Sequence, residues 1–315
     1  MKHFTSQFKN KTILVVGDII LDKYIFGKIT RKSPEAPKTP VILAMNEGYA
    51  LGGAANVAHN IVSLGGKAIL LGYLGDDDNA TTVKNLLSKT KIKDGSFMSR
   101  SHPTVTKTRI FDGARQVARI DEESTTPLSK QELAVFLAAI KKIQKNIDIV
   151  IVADYAKGMV SKEAMAFLVK KFGGDKIIAD PKPIHKDLMR NLLLITPNLK
   201  ELSLMTGQDI KRTNDIYSAI QTLAQDLHTS ILATLSGKGM ALYDKSDDTI
   251  FRIPPPGVKV VDVTGAGDVA TAACALAIAS GASLAEAALF ANRAAGISVT
   301  KPGTATVTMR ELFYK

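Results

Sequence analysis

The sequence has one cysteine and no tryptophan among 315 residues. A single cysteine excludes a disulfide and a cysteine-based metal site within one chain. Cys274 stands among alanines, where a buried apolar side chain is the expected role. The chain also lacks an uncharged apolar run of about 20 residues, the length needed to cross a bilayer, and its start does not resemble an export signal. We therefore expect a soluble cytoplasmic protein with no membrane partner.

Negative charge is the scarcer sign: 30 acidic residues face 41 basic ones, which gives a formal net charge of +11. Such an excess can indicate a nucleic-acid partner, but the lysines are scattered and lack the interleaved aromatic side chains of a single-strand groove. We therefore predict no nucleic-acid partner. A basic surface still favours anionic small molecules through long-range attraction, so the charge is compatible with an anionic substrate.

Apolar runs recur along the chain with helical stretches between them. Hydrophobic residues make up 45% of the sequence, and unbroken apolar runs of this kind are typical of parallel strands covered by helices on both faces. We predict a doubly wound α/β domain with a mostly parallel central sheet. The predicted strands cover residues 12–17, 68–75, 148–154, 176–180, 192–196, 230–235 and 258–263.

Two segments interrupt this alternation, at residues 22–50 and 103–123. Both are rich in threonine, valine, isoleucine and charged residues, and the second contains the turn signal Asp112-Gly113. We predict solvent-facing antiparallel strands that form a small β lid beside the main domain. No linker, repeat or low-complexity tract divides the sequence, so we expect one domain over residues 1–315 with the lid inserted.

A glycine-rich turn occupies the stretch VDVTGAGDVATAACALAIASG, residues 261–281. We predict that a helix begins at Gly265 and stops at Gly281. The first amides of a helix point outward with the positive end of its dipole behind them, which favours a bound anion. Asp268 in the first turn would repel a phosphate that merely binds. It suits a base that accepts a proton while the amides stabilise a transferring phosphoryl group.

Two other interpretations of this turn stay open. Gly265, Gly267 and Ala270 match the GxGxxA spacing of a dinucleotide fingerprint. That fingerprint normally follows the first strand of its unit and precedes an acidic residue about 20 positions later, whereas here the chain is almost finished. A glycine turn without any ligand is the simplest alternative.

The motif DVTGAGD (262–268) closely resembles the C-terminal signature of the PfkB/ribokinase family of carbohydrate kinases. The stretch LGGAANVAHNIVSLGG (51–66) is similar to the family's sugar-site motif, and glycines at a strand-to-helix turn let sugar hydroxyls approach the backbone. The resemblance spans essentially the whole chain and implies a ribokinase-like three-layer α/β/α fold with a β lid. It also implies a kinase that uses ATP and Mg²⁺ and acts on a small-molecule sugar.

The resemblance assigns roles residue by residue. It implies that Asp268 is the catalytic base and that the backbone of Gly265, Ala266 and Gly267 forms the anion hole. An asparagine side chain offers a polyol both a donor and an acceptor. The residues implied to contact sugar hydroxyls are Asp18, Gly52, Gly53 and Asn56.

Two further stretches resemble the family's magnesium and nucleotide elements. In TPNLKEL (196–202), Asn198 and Glu201 would orient water molecules around Mg²⁺, although an isolated NxxE is equally a helix cap. The stretch ATLSGKGMALYD would form the nucleotide loop, with a hairpin turn as its plain alternative. Many family members also bind a monovalent cation, which would place K⁺ near Asp262 and Thr264. The other implied nucleotide-binding residues are Thr234, Ser236, Gly237, Gly239 and Asn292.

Several shorter stretches, among them RKSPEAP, HPTVTKTRI, DYAKG and ADPK, look much like those of the D-glycero-β-D-manno-heptose 7-phosphate kinases. That resemblance implies transfer of the ATP γ-phosphoryl group to O1 of the heptose 7-phosphate, a step of ADP-heptose and lipopolysaccharide biosynthesis. Some relatives fuse this kinase to a nucleotidyltransferase, and the end of the chain at Lys315 leads us to expect the kinase half alone. The cations available for an anionic substrate are Lys107, Arg109, Arg119 and Lys157.

The residues leave other functions open. A kinase of the same family acting on another sugar, sugar phosphate or nucleoside is the nearest alternative. A non-catalytic sugar-sensing protein could keep the same fold, although the intact motif around Asp268 argues against lost catalysis. An oxidoreductase is the most distant alternative. In this family the lid also serves as a dimer interface, so we expect a homodimer formed through the β lid.

Overall fold

A nine-stranded sheet runs through the middle of the computed structural model, which describes residues 2–143 and 146–313. Met1 and residues 314–315, at the ends of the predicted domain, lie outside the described part. Seven neighbouring strands of this sheet are parallel, and two at one edge are antiparallel. The spatial order is β15 (Thr249–Ile253), β14 (Met240–Asp244), β13 (Ser230–Thr234), β12 (Leu194–Ile195), β11 (Ile177–Asp180), β10 (Ile149–Ala153), β1 (Thr12–Gly17), β4 (Lys67–Leu71) and β6 (Lys93–Asp94).

Helices cover both faces of the sheet, and the three layers confirm the predicted fold class. Strand β1 shows the reason: Ile13 and Val15 belong to the core on one side, whereas Leu14 and Val16 belong to the core on the other. One layer holds α1 (Lys2–Thr5), α2 (Ala54–Ser63), α3 (Asp78–Ser88), α8 (Ala266–Ala279), α9 (Leu284–Ser298) and α10 (Met309–Phe313). The other holds α4 (Lys130–Lys142), α5 (Lys162–Phe172), α6 (Leu199–Thr206) and α7 (Thr213–Leu227). Short 3₁₀ helices cover Phe8–Asn10, Gly174–Lys176, Pro183–Met189 and Ser236–Lys238.

Helix α8 is apolar on all sides because it lies between the sheet and α9. Its alanines allow close packing, and Cys274 among them is fully buried and free, as predicted. Burial raises the pKa of the Cys274 thiol to about 12, so the thiol is not ionised at neutral pH. The helix ends at Ala279, just before Gly281, whose φ of 90° turns the chain away. Within residues 2–143 and 146–313, no helix has both the length and the apolar character that a membrane crossing requires.

The predicted strand at residues 258–263 is wrong, because this segment is a loop. The three prolines at 254–256 carry no backbone N–H and so interrupt any hydrogen-bonded ladder just before it. The loop is instead attached to the end of α9, where the backbone N–H groups of Val261 and Asp262 both donate to the carbonyl of Val299. Its valines stay largely exposed.

The predicted strand at residues 68–75 divides at Gly72 into β4 and a separate two-residue strand. A Cβ added at Gly72 would lie 2.4 Å from the carbonyl oxygen of Gly17, so the two backbones approach each other closely at this point. The separate strand forms its own small sheet, which pairs β5 (Tyr73–Leu74) with β7 (Phe97–Met98).

A second sheet, the lid, occupies the two segments that interrupt the α/β alternation. Its spatial order is β3 (Pro40–Gly53), β2 (Ile19–Lys32), β8 (Val105–Asp112) and β9 (Arg115–Glu122). The hairpins β2–β3 and β8–β9 are antiparallel, but the expectation of purely antiparallel pairing is wrong because β2 and β8 are parallel. Both hairpins leave the main domain through their first strand, so these first strands run the same way where they meet.

The register of the lid places charged side chains in rows across its strands. Asp22, Lys107 and Asp121 stand directly opposite one another on β2, β8 and β9. Because side chains alternate between the faces of a strand, residues two positions further along share the same face. That next row consists of Tyr24, Arg109 and Arg119.

Candidate active site

A cavity of about 270 Å³ lies where the lid meets the carboxyl ends of the central strands and the start of α8. Ligands of open α/β sheets bind at this end of the strands. The walls combine lid residues, residues at or just after the carboxyl ends of β10, β11, β12 and β13, and the glycine turn before α8. The cavity therefore joins the two motifs that the sequence separates by some two hundred residues.

Helix α8 begins in the cavity wall, as the glycine turn predicts. Gly265 caps the helix with a φ of 76°, and Gly267 has open space where a side chain would point, so a ligand can approach its backbone closely. Ala266 differs from the prediction, because its N–H donates to the carbonyl of Val263 at 3.2 Å and is engaged in the turn. The amides of Gly267 and Asp268, which precede the first i→i−4 bond within the helix, are the ones available to an anion.

Asp268 is the carboxylate at the start of α8 and is only 5% exposed. The hydroxyl of Tyr155 donates a hydrogen bond to its Oδ1, and Nδ2 of Asn56 donates to its Oδ2 at 2.7 Å. Burial raises the pKa of Asp268 to about 6, although these two hydrogen bonds oppose the rise. At pH 7 the carboxylate is therefore mostly ionised, yet it is a stronger base than an exposed aspartate.

The Gly-Gly-x-x-Asn motif lies at the junction of β3 and α2, and only part of it reaches the cavity. Gly53 lines the cavity. Gly52 packs against Asp22, whose Oδ2 would lie 2.5 Å from an added Cβ. Asn56 is fully buried and directs its amide at Asp268. In this structure Asn56 positions that carboxylate, instead of facing the cavity as the sugar contact that the resemblance implies.

Asp18 is also displaced from its predicted role. Its side chain is fully buried and accepts hydrogen bonds from the backbone N–H groups of Tyr155 (2.8 Å), Lys157 (3.1 Å) and Met159 (3.2 Å). Burial raises the pKa of Asp18 to about 6. Asp18 thus fixes the loop after β10, and the carboxylate that lines the cavity is Asp22, four residues later on β2.

Three of the four predicted cations, Lys107, Arg109 and Arg119, line the cavity from the lid. Nη1 of Arg109 lies 2.5 Å from Oδ1 of Asp22. Asp121 faces the other two, with its Oδ2 at 3.3 Å from Nζ of Lys107 and 2.7 Å from Nη2 of Arg119. The lid therefore presents one carboxylate, Asp22, and three cations to the cavity, which suits a substrate with hydroxyl groups and an anionic group.

The fourth predicted cation, Lys157, is placed differently. Its Nζ lies 2.7 Å from Oε1 of Glu123, and it stands outside the lining of the cavity. Glu123 also bonds Lys107, at 3.2 Å. Lys157 therefore ties the loop after β10 to the end of the lid.

Asn198 and Glu201 form a capping box at the start of α6, so the helix cap that NxxE permits is present. Each side chain accepts from the backbone N–H of the other at 3.0 Å. Both residues also line the cavity, and the second carboxylate oxygen of Glu201, Oε1, contacts the ammonium group of Lys182. The cap thus fixes two oxygen-bearing side chains in the wall.

The wall around Lys182 has the oxygen donors and the charge that a hydrated divalent cation requires. Asp180 and Glu201 contribute carboxyl groups to it. Burial, with the charges of Glu201 and Asp268 as further causes, raises the pKa of Asp180 well above its usual range. A cation would neutralise this excess of negative charge. Within the described part of the chain no three His, Cys, Asp or Glu side chains form a direct metal site.

The predicted nucleotide loop reaches the cavity at one residue. Thr234 lines the cavity and forms a β-bridge with Asn198. Ser236 and Gly237 lie in the 3₁₀ turn that follows, and Gly237 has open space where a side chain would point. Gly239 closes the turn with a φ of 87°. The hairpin turn is therefore present, and of the residues predicted in this loop Thr234, at the end of β13, is the one that lines the cavity.

The remaining predicted residues hold the loop that precedes α8. Nδ2 of Asn292 on α9 donates to the carbonyl of Pro254 at 2.8 Å. Asp262 accepts from both the N–H (2.9 Å) and the hydroxyl (2.7 Å) of Thr264, and from the N–H of Gly303 (2.8 Å). Asp262 thus joins the glycine turn to the loop before α10. Thr264 lines the cavity.

The cavity residues that sequence reasoning missed include Asp22, Tyr155 and Lys182. Tyr155 and Lys182 follow β10 and β11 by two residues, at the carboxyl ends where ligands of parallel sheets bind, so their position was a usable signal. Asp22 lines the cavity because its face of β2 points inward, and the pairing of β2 with its neighbouring strands decides which face that is.

Solved structures share this architecture over nearly the whole chain. Phosphofructokinase-2 from Escherichia coli, solved in complex with substrates and products, has a TM-score of 0.80 at 20% identity and covers 96% of this chain and 97% of its own. Ribokinase from Thermotoga maritima has a TM-score of 0.73 at 23% identity, with 96% and 97% covered. These similarities confirm the ribokinase-like fold.

Curated relatives are similar at the level of sequence. The bifunctional protein HldE of Caulobacter vibrioides is 38% identical over 99% of this chain, and that of Sulfurimonas denitrificans is 36% identical over 99%. The chain spans 65% and 64% of the length of these two relatives. The model of the pfkB family carbohydrate kinases matches residues 10–311. The chain therefore belongs to the pfkB family and is a carbohydrate kinase.

Proposed function

We propose that this kinase transfers the γ-phosphoryl group of ATP to O1 of D-glycero-β-D-manno-heptose 7-phosphate and so forms the 1,7-bisphosphate. The observation that carries the proposal is a single cavity that holds both the carboxylate Asp268 and three lid cations, Lys107, Arg109 and Arg119. Cations in a sugar site are useful for a sugar that carries a phosphate. The choice of heptose rests on the sequence stretches that resemble heptose 7-phosphate kinases.

Asp268 acts in this proposal as the general base. An ionised carboxylate has about four acceptor positions, and Tyr155 and Asn56 use one on each oxygen. A substrate hydroxyl can therefore still donate to Asp268. As the bond between O1 and the γ-phosphorus forms, the hydroxyl proton passes to the carboxylate and the bond from that phosphorus to the β-phosphate oxygen breaks, which releases ADP.

When bound, Mg-ATP supplies the phosphoryl group, and the metal neutralises part of its charge. The amides of Gly267 and Asp268 would stabilise the phosphoryl oxygens from the start of α8. Asn198 and Glu201 would hold water molecules of the metal. Lys182, which Glu201 keeps in the same wall, adds a positive charge beside the carboxylates.

The far end of the substrate is assigned to the lid. Asp22 would accept hydrogen bonds from sugar hydroxyls, and Arg109 and Arg119, in the neighbouring row, would donate to the 7-phosphate. Among the described residues, the side chain of Arg119 hydrogen-bonds Asp121 alone, at the edge of the lid. Its guanidinium group has five donors, so it can bind a phosphate while it keeps that contact.

The proposal also includes K⁺ beside the glycine turn. Asp262 and Thr264 offer a carboxylate and a hydroxyl oxygen, the hard donors that such a cation prefers. A fold neighbour, phosphofructokinase-2 from Escherichia coli, has been solved in complex with potassium. Faster turnover in KCl than in NaCl at equal ionic strength would support this site, and equal rates would contradict it.

We also propose that the lid forms a homodimer. Several large apolar side chains are exposed on it, which a second copy would cover. In solution, the mass from light scattering should be twice that of one chain, and Ile120→Lys should lower it; a monomeric mass for the unaltered protein would contradict the dimer. The exposed side chains are Phe26, Leu43, Met45, Tyr49 and Ile120.

The test of the substrate is ADP release from Mg-ATP with a panel of acceptors: the heptose 7-phosphate, fructose 6-phosphate, fructose 1-phosphate, ribose and adenosine. We expect the highest kcat/KM for the heptose 7-phosphate, and phosphorus NMR of the product should show a new phosphate on the anomeric carbon. A preference for another sugar phosphate would overturn the heptose assignment and leave the lid cations as the phosphate site. A preference for ribose or adenosine would overturn both.

A further inference from the structure

The hydroxyl of Tyr155 meets the carboxylate of Asp268 inside the cavity wall. We propose that Tyr155 is a positioning residue for phosphoryl transfer, which orients the Asp268 carboxylate and stabilises its charged form. This role rests on the proposed function of Asp268 as the base. Neither the glycine motif nor the sugar-site motif includes Tyr155, which lies 113 residues before Asp268.

The position of Tyr155 is fixed from two directions. Its backbone N–H donates to Oδ2 of the buried Asp18 at 2.8 Å. The next residue, Ala156, donates its N–H to Asp154 at 2.8 Å and has a positive φ of 55°. A loop held by two buried carboxylates cannot move its side chain far. The Tyr155 hydroxyl is therefore delivered to one place, next to Oδ1 of Asp268.

Asp268 has donors on both oxygens, from two different parts of the fold. Asn56 reaches Oδ2 from α2, and Tyr155 reaches Oδ1 from the loop after β10. Two donors on opposite oxygens define the plane of the carboxylate. The remaining lone pairs then point in fixed directions, which is the requirement for a base that must meet a hydroxyl in line with a phosphoryl group.

The charged groups around Asp268 oppose one another. Asp22 of β2 and Asp180 at the end of β11 disfavour its ionised form, whereas Lys182 after β11 favours it. Burial disfavours ionisation most, and the hydrogen bond from Tyr155 is the largest effect in the other direction, ahead of that from Asn56. Tyr155 itself remains a donor, because burial and the charge of Asp268 raise the pKa of its hydroxyl well above the usual value.

The variant Tyr155→Phe removes only the hydroxyl and keeps the ring, over which Nζ of Lys182 lies 5.4 Å from the centroid. The matched control is Tyr73→Phe. Tyr73 is a buried tyrosine whose hydroxyl donates to the carbonyl of Lys157 at 2.6 Å, in the same loop as Tyr155. The control therefore loses a hydroxyl that supports the loop without touching Asp268.

The measurement is the pH dependence of kcat/KM, with the most active acceptor of the panel. The acidic limb of the unaltered enzyme should lie near pH 6, the pKa of Asp268. In Tyr155→Phe it should move upward by about one pH unit, because the carboxylate loses a hydrogen bond that favours its charge. On the plateau kcat should fall about tenfold through lost orientation, with KM for the sugar little changed. Tyr73→Phe should keep the limb of the unaltered enzyme.

A second readout does not depend on the substrate. Carbon-13 NMR of labelled aspartate carboxyl groups, with Asp268→Asn to assign the resonance, should show Asp268 titrating at higher pH in Tyr155→Phe than in the unaltered protein. An unmoved resonance and an unmoved limb would overturn the role of Tyr155. A limb that moves equally in Tyr73→Phe would also overturn it, since loop support would then be the cause. Full turnover in Asp268→Asn would instead refute the proposed base, whatever Tyr155 does.

Discussion

Replacement of Asp268 by asparagine should abolish turnover and stabilise the fold at the same time. The asparagine amide has nearly the shape of the carboxylate, and both contacts can be kept. Its oxygen can accept from Nδ2 of Asn56, and its NH₂ group can donate to Tyr155, since a phenolic oxygen also accepts. The substitution therefore removes the negative charge and the basic site without leaving a buried polar atom unpaired.

The gain in stability follows from the pKa of Asp268. Burial raises this pKa from 3.8 to about 6. When the pKa of a group differs by one between the folded and unfolded protein, the difference in free energy is about 1.4 kcal/mol. The ionised carboxylate thus lowers the free energy of unfolding by about 3 kcal/mol at pH 7. Because the folded protein has the higher pKa, this loss develops as the pH rises from about 4 through 6. At pH 4 and below, where Asp268 is protonated, the variant should have no advantage.

The loss of turnover has a separate origin. A general base contributes about 10²- to 10⁴-fold to rate, so kcat of Asp268→Asn should fall by at least about 100-fold. A coupled assay of ADP release measures the rate, and urea unfolding at pH 4 and pH 7 measures the stability. Calorimetric titration should give an ATP affinity within a few-fold of that of the unaltered enzyme. Asp148→Asn is the control: this carboxylate bonds the N–H of Thr12 at the opposite end of the sheet, and its loss should spare turnover. Turnover of Asp268→Asn within tenfold of the unaltered enzyme would refute the base, and unchanged stability at pH 7 would refute the raised pKa.

Three further predictions concern the lid, the glycine turn and a buried glutamate. Arg119→Gln should raise KM for the sugar phosphate about tenfold with kcat nearly unchanged. Lys157 lies outside the cavity lining, so Lys157→Gln should leave KM unchanged. Equal effects of the two variants in steady-state kinetics would contradict the assignment of the lid to the substrate phosphate. Gly265→Ala should lower the free energy of unfolding in urea by about 1–3 kcal/mol, because Gly265 has a positive φ and an added Cβ would lie 2.8 Å from Nδ2 of Asn56. Gly267→Ala should keep the stability of the unaltered protein and bind ATP more weakly. The reverse pattern would exclude this geometry. Burial alone would raise the pKa of Glu132, but hydrogen bonds, the strongest of them from Ser99, lower this pKa to about 2. The free energy of unfolding of the unaltered protein should therefore fall as the pH drops from about 4.5 to 2, and Glu132→Gln should remove that dependence.

Local patterns predicted much of the scaffold. Six strands of the central sheet, β1, β4, β10, β11, β12 and β13, lie in the apolar runs of the sequence, and the helix at Gly265 follows from the glycine turn, because both features depend on neighbouring residues. The prediction failed at residues 258–263, where β-branched residues favour a strand. There three prolines precede the segment, and its bonds to Val299 and Gly303 hold it as a loop.

Within the candidate site, residues that belong to a sequence motif could be predicted, and residues that only tertiary contacts bring to the cavity could not. Asp268, Gly267 and the lid cations were named from the sequence, and they line one cavity. Asp18 and Asn56 were expected to face the sugar, yet their side chains are buried and hold other parts of the wall. A motif identifies a polar residue near a site, but the direction of its side chain depends on backbone donors elsewhere in the fold.

The sequence by itself determined the layered α/β architecture, the start of α8 and the identity of the carboxylate in its first turn. These follow from apolar periodicity and from glycine at a helix start, which are local properties of the chain. Only the tertiary structure decided that Tyr155 and Asn56 hold that carboxylate, and that Asp22 replaces Asp18 in the cavity. Those contacts join residues more than one hundred positions apart, or depend on strand register, and no local pattern encodes either.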